Sequence, residues 1–342
     1  MSPGVTSPVM GNSIEILDSL TPEGFASLLA ESTKPVLLPG LVADWPVVRR
    51  ARESDEALCA YLLRFYADAT VNVFCGEPEI EGRFFYNEDM TGFNFSRSRD
   101  KLDKVLDRLV CEEHGQRAHS YYVGATTIDN CLPGFSEDNA LAFGDIAPLA
   151  SIWIGNRSRI AAHYDLPDNL ACVVAGRRRF TLFPPEQLAN LYPGPIDFNP
   201  AGQQISLVDF HQPDLERYPL FQEALENAQV VELEPGDALF IPSMWWHHVE
   251  SLGSLNTLVN YWWRKSPAYM GPPMDVLLHA LLTLRDLPPE QKKAWSGIFE
   301  HYIFSQDPPL EHIPEGSQGC LGPLDENRAR QLRATLLSRL NR

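Results

Sequence analysis

The chain has 342 residues, 44% of them hydrophobic and 21% charged, which excludes a wholly disordered protein and leaves ample apolar material for a core. Twenty-eight Lys and Arg against 45 Asp and Glu give a formal charge of −17, a field that repels phosphate backbones, so nucleic acid is disfavoured and a basic protein partner fits better. No apolar run approaches the roughly 20 residues of a bilayer span, so no membrane association is expected. Met1 to Ser13 contains no signal-peptide core, and Cys59, Cys75, Cys111, Cys131, Cys172 and Cys320 form no CxxC pair. The expected setting is the cytoplasm, with reduced thiols.

In chain order, Thr21-Pro22 reads as the N-cap and first position of a helix whose apolar face is Phe25, Leu28 and Leu29. Pro35 to Gly40 reads as a short buried strand, Leu58 to Ala67 as a second helix, and Leu102 to Val110 as a third. Residues 1–120 are thus expected to be helices packed on a few strands. From about Tyr121 the texture changes to short β-type runs: Ser151–Ile154, Leu170–Val174, Arg179–Phe183, Val230–Leu233, Ala238–Pro242 and Thr257–Trp263. Turn signals separate them, with no regular helix between, and the pattern predicts an antiparallel barrel or sandwich over 121–265. After Ser266 the pattern is helical again, over Asp275–Asp286, Glu290–Phe304 and Asp325–Leu340. So much apolar surface on short helices needs cover, from the barrel or from a second subunit.

His163-Tyr164-Asp165 carries the strongest chemical signal. On a strand, residues i and i+2 share a face, so His163 and Asp165 could present a nitrogen and an oxygen to one point. One of His247 and His248, which cannot both point inward from a strand, would complete a 2-His-1-carboxylate set, the arrangement associated with non-haem Fe(II) oxygenases. In Gly176 to Phe183, period-2 alternation puts Arg178, Phe180 and Leu182 on one face. An arginine there needs an anion, supplied either by a small dicarboxylate or by an internal Asp or Glu. A register slip of one residue would hand that role to Arg177 and Arg179. Asn260 and Trp262 share a face with Leu258, and a buried Asn260 needs a partner. His211, His279, His301 and His312 read as structural. The chain holds no GxSxG, Walker-type loop, GxGxxG or HExxH.

These segments resemble the Jumonji-C and cupin-like 2-oxoglutarate oxygenases, in particular their asparaginyl hydroxylases. The matching text includes Ala162-His-Tyr-Asp165, Asn169, Gly176 to Pro185, Leu191-Tyr-Pro193, Pro235-Gly-Asp237, Trp245 to Ser251 and Val259-Asn-Tyr-Trp262. The resemblance implies a double-stranded β-helix (a jelly roll) with flanking helices, mainly β, holding Fe(II) by His163, Asp165 and His247. It implies Arg178, where the family usually has Lys, on the distal carboxylate of 2-oxoglutarate. Tyr122, Asn169 and Asn260 match further co-substrate or metal-shell positions, and Trp262 and Ile160 match the pocket wall. Ile160 stands where the asparaginyl hydroxylases have a hydroxyl that contacts the co-substrate, so that contact is lost or replaced.

With O2 as second co-substrate, the implied reaction hydroxylates a protein or peptide side chain and converts 2-oxoglutarate to succinate and CO2. A small-molecule or RNA hydroxylase, a methyl-lysine demethylase and a metal-binding cupin without oxygenase activity are the alternatives. The helices of 266–342 resemble those through which such enzymes form homodimers.

Overall fold

In the computed structural model, which describes residues 12–111, 118–200, 202–305 and 310–341, the β-type runs pair into two sheets. Most of the Met1–Ser13 segment lies outside the described residues. The strands are β1 (Glu15–Ile16), β2 (Val36–Leu38), β3 (Thr70–Gly76), β4 (Arg83–Phe84), β5 (Phe95–Lys101), β6 (Ser120–Thr127) and β7 (Leu149–Gly155). They continue with β8 (Ser158–His163), β9 (Asp168–Ala175), β10 (Arg178–Phe183), β11 (Gln229–Leu233), β12 (Ala238–Ile241), β13 (Trp246–Ser251) and β14 (Asn256–Trp263). The larger sheet runs β1-β2-β12-β9-β14-β7-β6-β3-β5 and the smaller β11-β10-β13-β8-β4. Pairing is antiparallel except for β1 with β2 and β4 with β8. This is the jelly-roll layout expected, mainly β with flanking helices.

The central strands β9 and β14 of the larger sheet are buried on both faces, which is why β9 is apolar without a break from Leu170 to Ala175. In β9, Leu170, Cys172 and Val174 face a core built with the N-terminal helices, while Ala171 and Val173 face the space between the sheets. In β14, Val259, Tyr261 and Trp263 belong to the outer core, which leaves Leu258, Asn260 and Trp262 for the interior. The helix Pro22–Glu31 forms as expected, with the Thr21 hydroxyl accepting from Gly24 N at 3.1 Å and Phe25, Leu28 and Leu29 buried. The second predicted helix is shifted to Asp55–Leu63 because the Ser54 hydroxyl accepts from Ala57 N and fixes its start. A helix over Pro46–Glu53 precedes it, missed because Arg49, Arg50, Arg52 and Glu53 mask the buried pair Val47 and Val48. Residues before 120 also contribute β2, which pairs with β12, and β3, which pairs with β6, so the larger sheet draws on both sides of that point.

Contacts divide the chain into one unit ending at Lys265 and a second from Ser266 onward. In the second, helices span Pro273–Thr283, Pro289–Phe299 and Glu326–Leu340, the last capped by Asp325, which accepts from Arg328 N at 2.8 Å. Large apolar side chains of this unit stay exposed, among them Leu282 at 77%, Phe304 at 67% and Leu337 at 62%. No helix among the described residues is long and apolar enough to cross a membrane.

Candidate active site

Between the two sheets lies a cavity of about 360 Å³ whose walls include Tyr122, Ile160, His163, Asp165, Asn169, Arg178, His247, Asn260 and Trp262. Every residue that the sequence reading singled out for the site is therefore brought to one chamber. Trp153, Phe180, Val249 and Leu258 complete much of its apolar wall.

His163 and His247 face each other directly across the β8–β13 ladder, their ring centroids 4.3 Å apart. Two positions along β13 the partner of Val249 is Ile160, three positions back on β8, so a β-bulge opposite His248 absorbs one residue. Strict period-2 alternation would put Ile160 and His163 on opposite faces, and the bulge is what lets both line the cavity.

Asp165 corrects one expectation. It does not sit on the strand with His163, because β8 ends at His163 and the chain turns there toward Pro167. The carboxylate is delivered by a clamped loop instead. Met244 N donates to the Asp165 carbonyl at 2.9 Å, Ser243 N to Asp168 Oδ1 at 2.9 Å and Ser243 Oγ to the Leu166 carbonyl at 2.6 Å, pinning this loop to the turn that leads into β13. One ligand atom from each of His163, Asp165 and His247 lies within 4.8 Å of the others, with His247 Nε2 3.7 Å from Asp165 Oδ2.

Both imidazoles are oriented from behind. His163 Nδ1 lies 2.9 Å from the Ala161 carbonyl and His247 Nδ1 3.0 Å from the Trp245 carbonyl. A carbonyl only accepts, so each Nδ1 carries the hydrogen and, in the neutral ring, each Nε2 keeps its lone pair. Burial, followed by the neighbouring His163, lowers the His247 pKa to about 4, so this ring is neutral at pH 7. The carboxylate is held as well. Asn260 donates its amide to Asn169 Oδ1, and Asn169 donates to Asp165 Oδ2 at 3.3 Å, a relay running from β14 through the start of β9 to the loop.

At Arg178 the alternation holds in the expected register. Gly176, at φ +69°, makes the turn between β9 and β10, where a Cβ would collide with the Asn256 side chain. Beyond it Arg178 is buried at 2% exposure, while Arg177 and Arg179 point outward and pair with Glu232. The internal ion pair offered as an alternative is not formed: no carboxylate among the described residues lies within ion-pair distance of Arg178, and its Nε has no hydrogen-bond partner. Burial lowers its pKa only to about 10, so the guanidinium remains charged. Tyr122 is its electrostatic neighbour, and burial raises the phenol pKa, keeping it neutral.

His248 occupies the other face of β13. Its ring packs on Phe210 at 4.6 Å, and burial lowers its pKa to about 4. It is too far round the strand to join the His163–Asp165–His247 set. His211, read as structural, lies 2.7 Å from Glu250 on that outer face. The sequence reading missed Trp153. Its indole stacks on Tyr122 with centroids 5.5 Å apart and meets Trp262 edge-on at 5.9 Å, while its Nε1 is buried without a hydrogen-bond partner. Period-2 alternation in β7, between the outward Ile152 and Ile154, is the signal that could have found it.

The donor set fits a divalent cation, and the buried guanidinium without an ion-pair partner in the same chamber fits an anionic co-substrate. The model of the cupin-like domain family matches residues 22–269. The chain is 39% identical over 127 residues to lysine-specific demethylase JMJ31 of Arabidopsis thaliana, covering 36% of this chain and 23% of that protein. It is 27% identical over 285 residues to HSPB1-associated protein 1 of Rattus norvegicus, covering 74% and 53%. It is 33% identical over 166 residues to tRNA wybutosine-synthesizing protein 5 of Mus musculus, covering 40% and 50%. The chain thus spans between about a quarter and about half of the length of these relatives.

Proposed function

The chain belongs to the cupin-like domain family, and on that premise we propose that it is an Fe(II)- and 2-oxoglutarate-dependent dioxygenase that hydroxylates a protein side chain. The observation that carries the proposal is the convergence of His163, Asp165 and His247 in the same chamber as a buried Arg178 with no ion-pair partner among the described residues. Charge balance supports it. One carboxylate, a divalent cation and one guanidinium sum to two positive charges, the complement of a dicarboxylate dianion. Leaving Arg178 without such an anion would be costly.

His163, Asp165 and His247 would hold the iron, and Arg178 with Tyr122 would take the distal carboxylate of 2-oxoglutarate. When bound, the metal and co-substrate supply the redox chemistry, in which O2 and 2-oxoglutarate become succinate, CO2 and a hydroxylated product. The rest falls to the protein. Asn169 and Asn260 keep the Asp165 carboxylate turned to the site, the backbone carbonyls of Ala161 and Trp245 fix the imidazoles, and Ile160 and Trp262 wall the chamber against water.

A protein substrate is favoured over nucleic acid by the charge of −17, although one relative is named for tRNA modification and another for lysine demethylation. The barrel region 121–265, with 1–120 packed on it, would do the chemistry in the cytoplasm. Helices of 266–342, with leucines such as Leu282 and Leu337 exposed, would serve a homodimer. The test is succinate formation on added Fe(II), which Asp165→Ala should abolish. Turnover at the wild-type rate in that variant would sink the assignment, and metal binding without any Fe(II)-dependent turnover in the native chain would leave a cupin that binds metal without oxygenase activity.

A further inference from the structure

Resting on that reading, we propose that Trp153 is a positioning residue for the co-substrate, its indole N–H donating to the distal carboxylate of the dicarboxylate beside Arg178. Three observations carry the assignment. Trp153 Nε1 is a buried donor without an acceptor on a wall of the chamber, and a buried N–H is rarely left so unless a ligand takes it. Its ring is fixed on both sides, stacked on Tyr122 at 5.5 Å and edge-on to Trp262 at 5.9 Å, so the donor direction is set before any ligand arrives. Tyr122, the ring it stacks on, feels the charges of both Arg178 and Asp165, which places the indole on the stretch of wall between the arginine and the metal ligands.

The strand register gives the same placement. Trp153 lies opposite Leu258 on β14, one inward position along from Asn260, and Asn260 marks the metal end through Asn169 and Asp165. Ile160, which also lines the chamber, offers no polar atom there. A carboxylate held by Arg178 and Tyr122 still has a lone pair to offer, and a further donor of fixed direction would take it. An indole N–H meets that need without adding charge.

The test uses the full chain loaded with Mn(II) for calorimetry. Trp153→Phe keeps the stacked ring and removes the donor. It should weaken 2-oxoglutarate binding by about tenfold or more, the loss expected for a hydrogen bond to a charged group, while binding of 2-oxopentanoate, which lacks the distal carboxylate, changes less than about twofold. In the Zn(II)-loaded wild-type chain, the Trp153 indole N–H resonance, assigned by its loss in the variant, should move downfield on adding 2-oxoglutarate and not on adding 2-oxopentanoate. Unchanged 2-oxoglutarate affinity in Trp153→Phe, or an indole resonance indifferent to the distal carboxylate, would overturn the proposal while leaving the dioxygenase reading standing. Failure of the metal-loaded wild type to bind either keto acid would overturn both.

Discussion

The strand pair β10–β13 carries an arginine on each face, and the faces treat the two in opposite ways. Outside, Arg179 pairs with Glu232 at 2.7 Å and Glu250 at 3.5 Å, and His211 reaches Glu250 at 2.7 Å. Burial pushes the Glu250 carboxyl up, yet His211, His248 and Arg179 hold it below the usual carboxylate range. Inside, Arg178 has no anion and the imidazoles of His163 and His247 turn Nε2 toward a carboxylate instead of toward a donor. Charges that are mutually satisfied describe a structural surface. Charges left unsatisfied in a buried chamber wall describe the ligand that is to complete them.

The sharpest way to break that contrast is to replace each arginine by methionine. Arg178→Met should lower 2-oxoglutarate affinity by about a hundredfold or more, while the fold stays level or gains about 1–3 kcal/mol, because a buried unpaired charge is exchanged for apolar packing. Arg179→Met should leave 2-oxoglutarate affinity alone and cost about 1 kcal/mol or more, since its pair with Glu232 is partly exposed and screened but its pair with Glu250 involves a buried carboxylate that His211 still holds. Isothermal titration with 2-oxoglutarate and thermal melts read both arms. An Arg178→Met chain that binds as well as wild type would erase the distinction between the two faces.

A second comparison separates the faces by pH. His247 and His248 both have folded pKa values of about 4 against 6.5 in the open chain, with burial as the main cause. The unfolded chain therefore takes up protons first. The metal-free protein should keep its full stability above pH 6.5 and lose it progressively as pH falls toward 4, by about 1.4 kcal/mol per pH unit for each histidine. His248→Phe should flatten that slope by about half, because only the inward histidine remains. Denaturant melts across the range check it, and an unchanged slope would assign the acid sensitivity elsewhere.

How far the site could be read without a structure depended on whether local periodicity survived. Arg178 was legible because β10 alternates cleanly and Gly176 sets its register. The Thr21 cap was legible for the same local reason. The strands β8 and β13, which carry His163 and His247, were not among the β-type runs, since Ser-Arg-Ile-Ala-Ala-His and Trp-His-His-Val-Glu-Ser have neither an apolar run nor even alternation. The bulge that brings Ile160 and His163 to one chamber depends on pairing with β13 and leaves no mark in β8 alone. Asp165 reached the site for a different reason than strand geometry, through the Ser243–Met244 clamp some 80 residues away in sequence. Edge strand β5, with Arg97, Arg99 and Lys101, hid behind its charges, as edge strands do. Trp153 lies within the β-type run Ser151–Ile154 with no local mark to set it apart, and its unpaired N–H shows only in the structure.

The most direct test of the central claim is an anaerobic titration of the metal-free chain with Fe(II) and then 2-oxoglutarate, followed by visible absorption. The account predicts a metal-to-ligand charge-transfer band in wild type that is missing in His163→Ala. Iron bound by wild type with no such band on adding 2-oxoglutarate would contradict it.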